Sequence, residues 1–151
     1  MNRWPLPEYM ALALEEARAA AGEGEVPVGA VIVREGEVIA AAHNAPRRLR
    51  DPSAHAEMVA LRAAAALRGT KHLTDCDLYV TLEPCAMCAA AIALFRVRRL
   101  YFAAFDPKGG GVDHGARVFD RSTTHHRPEI YGGLRATEAA SLLSDFFATR
   151  R

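Results

Sequence analysis

The alternation of strand-like and helix-like segments restricts the folds open to this chain more than any other feature. Apolar segments with the composition of strands lie at 26–33, 37–42, 78–82 and 99–104. Segments with helical composition lie at 8–21, 53–68, 84–95 and 134–150. Because the two kinds of segment follow one another along the chain, they predict an α/β layered domain.

Glycine and proline mark several of the expected boundaries. Arg34-Glu35-Gly36 between the first two strands is typical of a β-hairpin, and Gly69 is expected to end the second helix. Pro84 is tolerated in the first turn of the third helix. No repeat or linker divides the chain and 50% of its residues are hydrophobic, so we predict a single domain over residues 1–151.

The chain carries no pattern typical of membrane insertion or secretion. The apolar stretch 9–14 ends at Glu15, which makes it too short for a signal sequence or a span. The chain has three cysteines, an odd number, of which Cys85 and Cys88 are three residues apart. This usage favours a reduced compartment and a metal site over a disulfide framework, so a cytoplasmic location is expected.

The two parts of the chain differ in charge although the net charge is +1. Residues 1–95 carry nine Lys and Arg against twelve Asp and Glu, whereas residues 96–151 carry ten against six. A surplus this small is typical of a solvated surface, and it also permits contact with a polyanion.

Pro84-Cys85-Ala86-Met87-Cys88 is a candidate metal-binding motif at a predicted helix start. Side chains three residues apart lie on nearly the same helix face, and the unpaired N–H groups of a first turn favour thiolates. With His55 as a third ligand, two thiolates and one neutral imidazole fill three positions of tetrahedral Zn²⁺. The open fourth position is typical of a catalytic zinc site.

Glu57 is the candidate proton acceptor of such a site. Side chains two residues apart diverge in mid-helix, so His55 and Glu57 are expected in a first turn, where both can face one ion. Two thiolates cancel the charge of Zn²⁺ and leave its water less acidic than an all-histidine site would. Glu57 is therefore expected to take a proton from that water and pass it to a substrate nitrogen and the leaving amine.

Each motif has a simpler interpretation when it is taken alone. A His-x-Glu pair is usually ordinary surface chemistry, and a Cys-x-x-Cys pair can be half of a structural zinc site or a redox pair. Cys76 is a further candidate ligand that would close the site, although we expect it to pack in the core. The combination, with no fourth cysteine or paired histidine beside it, favours a catalytic zinc centre.

Further motifs extend over nearly the whole chain. They are Val26-Pro27-Val28-Gly29-Ala30-Val31, Asn44, Asp51-Pro52-Ser53-Ala54-His55-Ala56-Glu57, Leu78-Tyr79-Val80-Thr81-Leu82-Glu83-Pro84-Cys85-Ala86-Met87-Cys88, Asp106-Pro107-Lys108 and Leu142-Leu143-Ser144-Asp145-Phe146-Phe147. In this order they resemble the bacterial tRNA-specific adenosine deaminases, a branch of the zinc nucleobase deaminases. The resemblance implies a three-layer α/β/α cytidine-deaminase-like fold, with helices on both faces of a mixed five-stranded sheet. It also implies a homodimer with one Zn²⁺ per subunit that hydrolyses adenosine to inosine at the wobble position of a tRNA anticodon.

The resemblance implies roles for residues around the zinc centre. Asn44 matches the position that holds the target nucleoside, and an amide offers both a donor and an acceptor for that task. Three residues match the base pocket: Val28 and Leu82 as apolar walls, and Ala56 through its backbone. The positions that match RNA contacts are Asp106, Lys108, Phe147, Arg150 and Arg151. Each residue also has an ordinary interpretation as a turn, core or surface residue.

Two segments depart from the family pattern. Residues 112–117 stand where many members have a Gly-Ser segment entering a helix, and Leu94-Phe95-Arg96 replaces a His-Ser-Arg. The departures spare the zinc centre and bear on the RNA contacts and the dimer surface. The histidines outside the motif are expected to be exposed loop residues: His43, His72, His114, His125 and His126.

Three other functions stay open at this point. A deaminase of a free base such as guanine or cytosine would share the zinc centre without needing a basic C-terminal portion. A zinc-stabilised binding module would function without Glu57. An RNA-binding protein without chemistry would keep its affinity after metal removal.

Overall fold

A computed structural model describes residues 8–150 as five helices and five strands, with one short 3₁₀ turn. The helices are α1 (Tyr9–Gly22), α2 (Pro46–Leu49), α3 (Ala56–Arg68), α4 (Ala86–Leu94) and α5 (Ala136–Ala148). The strands are β1 (Gly29–Arg34), β2 (Glu37–His43), β3 (Cys76–Leu82), β4 (Arg99–Ala104) and β5 (Glu129–Gly132). The 3₁₀ turn is Val118–Asp120.

The five strands form one mixed sheet in the order β2-β1-β3-β4-β5. Strand β1 pairs antiparallel with β2 and with β3, while β3, β4 and β5 run parallel to one another. The parallel strands β3 and β4 end in register, with Leu82 paired to Ala104, so their carboxyl ends lie at one edge of the sheet. Open α/β sheets bind ligands at such an edge.

Helices cover both faces of the sheet. Strand β1 shows this most simply, because Ala30 and Ile32 join the buried cluster with side chains of α3 and α4. The alternate residues Val31 and Val33 join a second buried cluster with α1 and α5. Alternation of this kind places one core on each face of the sheet. The three-layer architecture implied by the resemblance is confirmed.

A row of tyrosines crosses the face covered by α1 and α5. Tyr79 of β3 pairs in register with Tyr101 of β4, which pairs with Tyr131 of β5. The first two ring centroids are 4.3 Å apart with planes 4° apart, and the rings of Tyr101 and Tyr131 are 5.0 Å apart. Tyr9 of α1 adds a fourth ring 5.3 Å from Tyr79.

The predicted segments differ from the observed elements mainly at their ends. Helix α3 begins at Ala56 rather than Ser53, with His55 as its N-cap in an extended conformation. Helix α4 begins at Ala86, after Cys85 in the same N-cap role. The end of α3 at Gly69, whose φ is 65°, is confirmed.

Two elements have no counterpart among the predicted segments. Helix α2 is a single turn, and β5 is a four-residue edge strand whose side chains are mostly exposed. Neither is long enough to show a hydrophobic period. No helix within residues 8–150 combines the length and apolar character needed to cross a bilayer.

Candidate active site

His55, Cys85 and Cys88 come together where the N-termini of α3 and α4 meet. The Nδ1 atom of His55 lies 3.6 Å from the Sγ of Cys85 and 3.6 Å from the Sγ of Cys88. All three ligand atoms lie within 4.8 Å of one another. The N-cap positions of His55 and Cys85 place both side chains off the ends of their helices, as the spacing predicts.

The three atoms have the spacing that zinc requires. A tetrahedral Zn²⁺ with Zn–S near 2.3 Å and Zn–N near 2.05 Å separates sulfur from nitrogen by about 3.6 Å. Cys76 lies outside this group: it is fully buried at the start of β3, where its thiol contacts Asp75 and Arg68. Within residues 8–150 these three residues are the one cluster of His, Cys, Asp or Glu with metal-binding geometry.

The surroundings of the Cys85 sulfur favour its thiolate form. Hydrogen bonding with Cys88 lowers the pKa of the Cys85 thiol to about 4, against the opposing effect of burial, and the hydrogen bond with His55 acts in the same direction. The hydrogen bond between the two cysteines, together with burial, raises the pKa of the Cys88 thiol. A metal ligand must be deprotonated, so Cys85 is ready to bind a metal at neutral pH, whereas Cys88 would release its proton when the metal binds.

Glu57 lies buried in the first turn of α3, next to the metal group. Its side chain lines the same cavity as His55 and Cys85. Burial raises the pKa of the Glu57 carboxyl to about 7. A general acid–base group works best with a pKa near the operating pH, because it can then both accept and donate a proton.

The cavity in front of these residues measures about 350 Å³. Its lining includes seven residues singled out in the sequence: Val28, Asn44, His55, Glu57, Leu82, Cys85 and Asp106. They come from the start of β1, the end of β2, the starts of α3 and α4, and the carboxyl ends of β3 and β4. The carboxamide and carboxylate groups therefore face one apolar-walled space, as in ligand pockets generally.

Asn44 has a fixed orientation in this cavity. Its Oδ1 accepts a hydrogen bond of 2.8 Å from the backbone N–H of Ala56, which assigns the oxygen to that side. The Nδ2 group is then the donor that Asn44 can offer to a ligand. The backbone N–H of Ala56 already donates to Asn44. The expected contact between the Ala56 backbone and a base stays a prediction.

A second concavity adjoins the first on the side of α5. It measures about 310 Å³ and shares Val26, Asn44 and Pro46 with the first. Arg47 and Arg150 line it, and the Arg150 guanidinium stacks 3.6 Å above the ring centre of Phe146. The two spaces adjoin through these shared lining residues and are together called the groove, whose outer part is the one lined by Arg47 and Arg150.

The remaining predicted RNA contacts lie around this groove or outside the described residues. Lys108 is exposed in the loop after β4, and Phe147 is 49% exposed. The carboxylate of Asp106 accepts hydrogen bonds from the N–H groups of Lys108 and Gly109, which holds the turn that follows it. Arg151 lies outside the described residues.

The predicted exposure of two histidines is wrong. Both ring nitrogens of His43 contact carboxylates, Nδ1 with Glu16 at 2.8 Å and Nε2 with Glu23 at 3.0 Å. The Nδ1 of His114 contacts Glu83 at 2.8 Å. In each case the partner is distant in the sequence, so no local pattern indicated the contact.

The other three histidines differ in their surroundings. His72 and His125 are exposed, as predicted. The prediction is wrong for His126 as well: this residue is half-buried, and its Nε2 donates a hydrogen bond of 2.7 Å to the carbonyl of Val97.

Glu83 is the residue of the site whose role sequence reasoning missed. It is 1% exposed and precedes Pro84 and Cys85 directly. Burial raises the pKa of the Glu83 carboxyl, but the hydrogen bonds it receives outweigh that effect and hold the pKa below its ordinary value. Cys85 belongs to a recognisable Cys-x-x-Cys spacing, whereas no local pattern marks Glu83. The groups that bind Glu83 lie far along the chain, at Asp106 and at residues 112–114.

A comparison with family models matches residues 5–104 to the cytidine and deoxycytidylate deaminase zinc-binding region. The chain is also similar to the tRNA-specific adenosine deaminase of Agrobacterium fabrum. The two are 52% identical over 143 residues, which cover 95% of this chain and 94% of the relative.

Two solved structures are similar to the fold described above. One comes from work on A-to-I editing by tRNA:A34 deaminases at the wobble position of transfer RNA. It has a TM-score of 0.88 at 52% identity and covers 89% of this chain and 98% of that one. The other is a guanine deaminase from Nitrosomonas europaea, with a TM-score of 0.81 at 27% identity and coverage of 93% and 83%.

Proposed function

The chain belongs to the zinc-binding cytidine and deoxycytidylate deaminase family, among its tRNA-specific adenosine deaminases, and we propose that it converts adenosine to inosine at the wobble position of a tRNA anticodon. The proposal rests on one observation, which is that the cavity at the metal group lies beside a concavity lined by cations. The cavity at the metal group adjoins a second concavity that is lined by Arg47 and Arg150. A free base needs only the cavity, whereas an RNA strand with one flipped nucleotide needs both.

The metal centre follows from the ligand set. His55, Cys85 and Cys88 would hold one Zn²⁺ per subunit, and the ion, when bound, lowers the pKa of water at its open position. Glu57 accepts a proton from the attacking water, donates one to the ring nitrogen of adenine and assists the departing amine. Water and adenosine are thereby converted to inosine and ammonia.

The other cavity residues orient the base. The Nδ2 of Asn44 is placed to donate to the nucleoside, since its oxygen is engaged with Ala56. Val28 and Leu82 supply apolar walls against the flat faces of a base. Because the base is held in one orientation, the edge that carries its exocyclic amine faces Glu57, and the other edges of the base do not.

The groove is the proposed path of the neighbouring nucleotides. Arg150, kept in place over Phe146, presents a guanidinium to a phosphate, and the half-exposed ring of Phe147 offers a stacking surface. Lys108 and Asp106 contribute from the loop after β4. Arg151 is assigned the same phosphate role by its place in the sequence.

We also propose that the protein is a homodimer and acts in the cytoplasm. Helix α4 has the sequence Ala-Met-Cys-Ala-Ala-Ala-Ile-Ala-Leu, without a charged residue. Although it packs on the core, Met87 is 39% and Leu94 is 64% exposed. A helix that is apolar all round is usually buried on all sides, and a second copy would cover this one. Light scattering at several concentrations tests the dimer.

The decisive experiment compares substrates. An anticodon stem-loop with adenosine at the wobble position is incubated with the zinc-loaded protein, and nucleosides are analysed for inosine. A matched stem-loop with guanosine at that position, and free adenine, guanine and cytosine, serve as comparisons. Inosine from the first stem-loop alone supports the proposal.

Deamination of a free base is the second candidate function. The similarity to a guanine deaminase favours it, because that enzyme shares the fold at 27% identity. Ammonia release from free guanine or cytosine, together with an unreacted stem-loop, would transfer the assignment to this class. Deaminase activity that survives in Glu57→Gln would exclude both candidate functions in the form proposed, because each depends on Glu57 to transfer protons.

A further inference from the structure

The Glu83 carboxylate holds the loop after β4 in place by accepting hydrogen bonds from its backbone. Its Oε2 accepts hydrogen bonds from three successive backbone N–H groups, those of Val112, Asp113 and His114, at 3.2, 2.9 and 3.1 Å. Its Oε1 accepts from the N–H of Asp106 at 3.0 Å. One buried side chain thus binds both ends of the segment 106–114.

The segment leaves no room around this carboxylate. A Cβ on Gly110 would lie 2.4 Å from the Glu83 Oε2 and 2.6 Å from the carbonyl oxygen of Asp106. Such distances are far below van der Waals contact, so the backbone at Gly110 approaches Glu83 as closely as a glycine allows. The segment is therefore packed tightly around Glu83.

His114 supplies the one side-chain hydrogen bond among the five that Glu83 receives. Its Nδ1 lies 2.8 Å from Oε1, the same oxygen that binds the N–H of Asp106. A carboxylate can only accept, so the Nδ1 of His114 carries the proton. The ring also lies edge to face with Phe105, with centroids 6.3 Å apart.

The other side of the same segment forms part of the cavity wall. Asp106 and Gly109 line the cavity together with His55 and Glu57, while His114 does not. A displacement of residues 106–110 would move this wall relative to a bound base. At Gly111 the segment is tied to the start of α4, because its N–H donates a hydrogen bond of 2.7 Å to the carbonyl of Pro84.

We propose that His114 is a positioning residue for the substrate. By donating to Glu83 it fixes the segment 106–114, and through that segment it sets the place of Asp106 and Gly109 at the cavity. It touches no reacting atom and no metal ligand. The proposal rests on the proposed function, because the substrate it positions is the nucleotide of the stem-loop.

Two nearly isosteric substitutions separate the donor from the shape of the side chain. In His114→Asn the amide nitrogen is attached at Cγ, as Nδ1 is in histidine, and keeps a donor to Glu83. His114→Leu has similar bulk and no donor. His72→Ala is the matched control, since His72 is an exposed histidine in the loop before β3. All variants are loaded with zinc, and the metal content is measured.

The expected result is a change in binding rather than in chemistry. For His114→Leu we expect KM for the stem-loop to rise about tenfold while kcat stays within about twofold, because a lost hydrogen bond to a charged group loosens the segment. Amide hydrogen exchange at Asp106 and Val112–His114 is expected to accelerate by about tenfold. The His114→Asn and His72→Ala variants are expected to match the wild type, and the zinc content to be equal throughout.

Several outcomes would overturn the proposal. These are unchanged exchange and KM in His114→Leu, equal impairment of the Asn and Leu variants, or loss of zinc from His114→Leu. If the wild-type protein makes no inosine, the proposed function fails, and faster exchange confined to His114→Leu would still show the donor holding the segment. If hydrogen exchange in His114→Leu is also unchanged, both the proposed function and the positioning role of His114 are excluded.

Discussion

The metal-ligand side of the cavity and its Asp106 side are held in place by different kinds of structure. His55, Glu57, Cys85 and Cys88 stand on the first turns of two regular helices, whose backbone geometry sets their directions. The segment 106–114 has no regular structure over most of its length and is held by hydrogen bonds to Glu83.

The comparison shows how chemistry and recognition can be separated within one pocket. Helix termini give the reacting groups fixed positions that tolerate changes elsewhere. A loop held by one carboxylate can differ in sequence among relatives while the reacting groups stay the same. Of the departures from the family pattern, residues 112–114 fall in this second region, residues 115–117 follow it directly, and Leu94-Phe95-Arg96 lies at the end of α4.

Metal removal tests the first side most strongly. Treatment with a strong chelator is expected to abolish turnover and to lower the free energy of unfolding by about 4 kcal/mol if zinc was present at about a thousand times its dissociation constant. Hydrogen exchange is expected to accelerate in the first turns of α3 and α4, and zinc to restore both properties. Equal loosening of the segment 106–114 would contradict the division between the two sides.

Glu57→Gln sharpens the comparison by removing chemistry alone. The amide cannot carry a proton to or from water, so kcat is expected to fall by about a thousandfold. Zinc content, and exchange in the segment 106–114, are expected to stay as in the wild type. The control is Glu37→Gln, an exposed glutamate of β2. A variant that keeps activity would remove Glu57 from its assigned role.

Glu83→Gln tests the second side. An amide nitrogen placed among donated N–H groups leaves some of them unpaired, so the free energy of unfolding is expected to fall by about 2 kcal/mol. Urea unfolding measures the loss, and exchange at Val112–His114 localises it. A loss spread evenly over the sheet would show that Glu83 supports the whole fold rather than this loop.

His43→Gln has the smallest expected effect and depends on pH. Burial alone would lower the pKa of His43, but hydrogen bonds with Glu16 and Glu23 outweigh it and raise the pKa above 6.5. The protonated ring donates to both carboxylates and so ties α1 to the end of β2, beside Asn44. Arg48 also faces Glu23, at 3.5 Å, and shares that carboxylate with His43.

Because this pKa is raised by folding, its stabilising effect is complete below the unfolded value and is lost as pH rises through the folded value. Wild type is therefore expected to exceed His43→Gln in stability by about 1 kcal/mol near pH 6, and by less near pH 9. Melting curves of both proteins at the two pH values measure the difference. A gap that widens at high pH would contradict the protonated pair.

The residues that act on the metal could be predicted because their relation is local. The spacing of Cys85 and Cys88, and of His55 and Glu57, fixes their mutual geometry once a helix start is assumed. Most of the sheet was predictable for a similar reason, since β1 to β4 are apolar runs bounded by turn residues.

The groups that organise the rest of the pocket are set by contacts between distant residues. The partners of Glu83 lie beyond β4, and those of His43 lie on α1 and directly after its end. Strand β5 is four residues long, and its pairing with β4 depends on the chain returning to the sheet edge after residue 118. No pattern within a short window carries this information.

The tyrosine row across the sheet gives the protein an internal optical reporter. It contains all four tyrosines of the chain, in contact from α1 to β5. Aromatic rings in fixed mutual contact give a near-ultraviolet circular dichroism signal that disappears when side-chain packing is lost. One spectrum of a variant, recorded without RNA or metal, therefore tells an intact sheet with altered chemistry from a damaged fold.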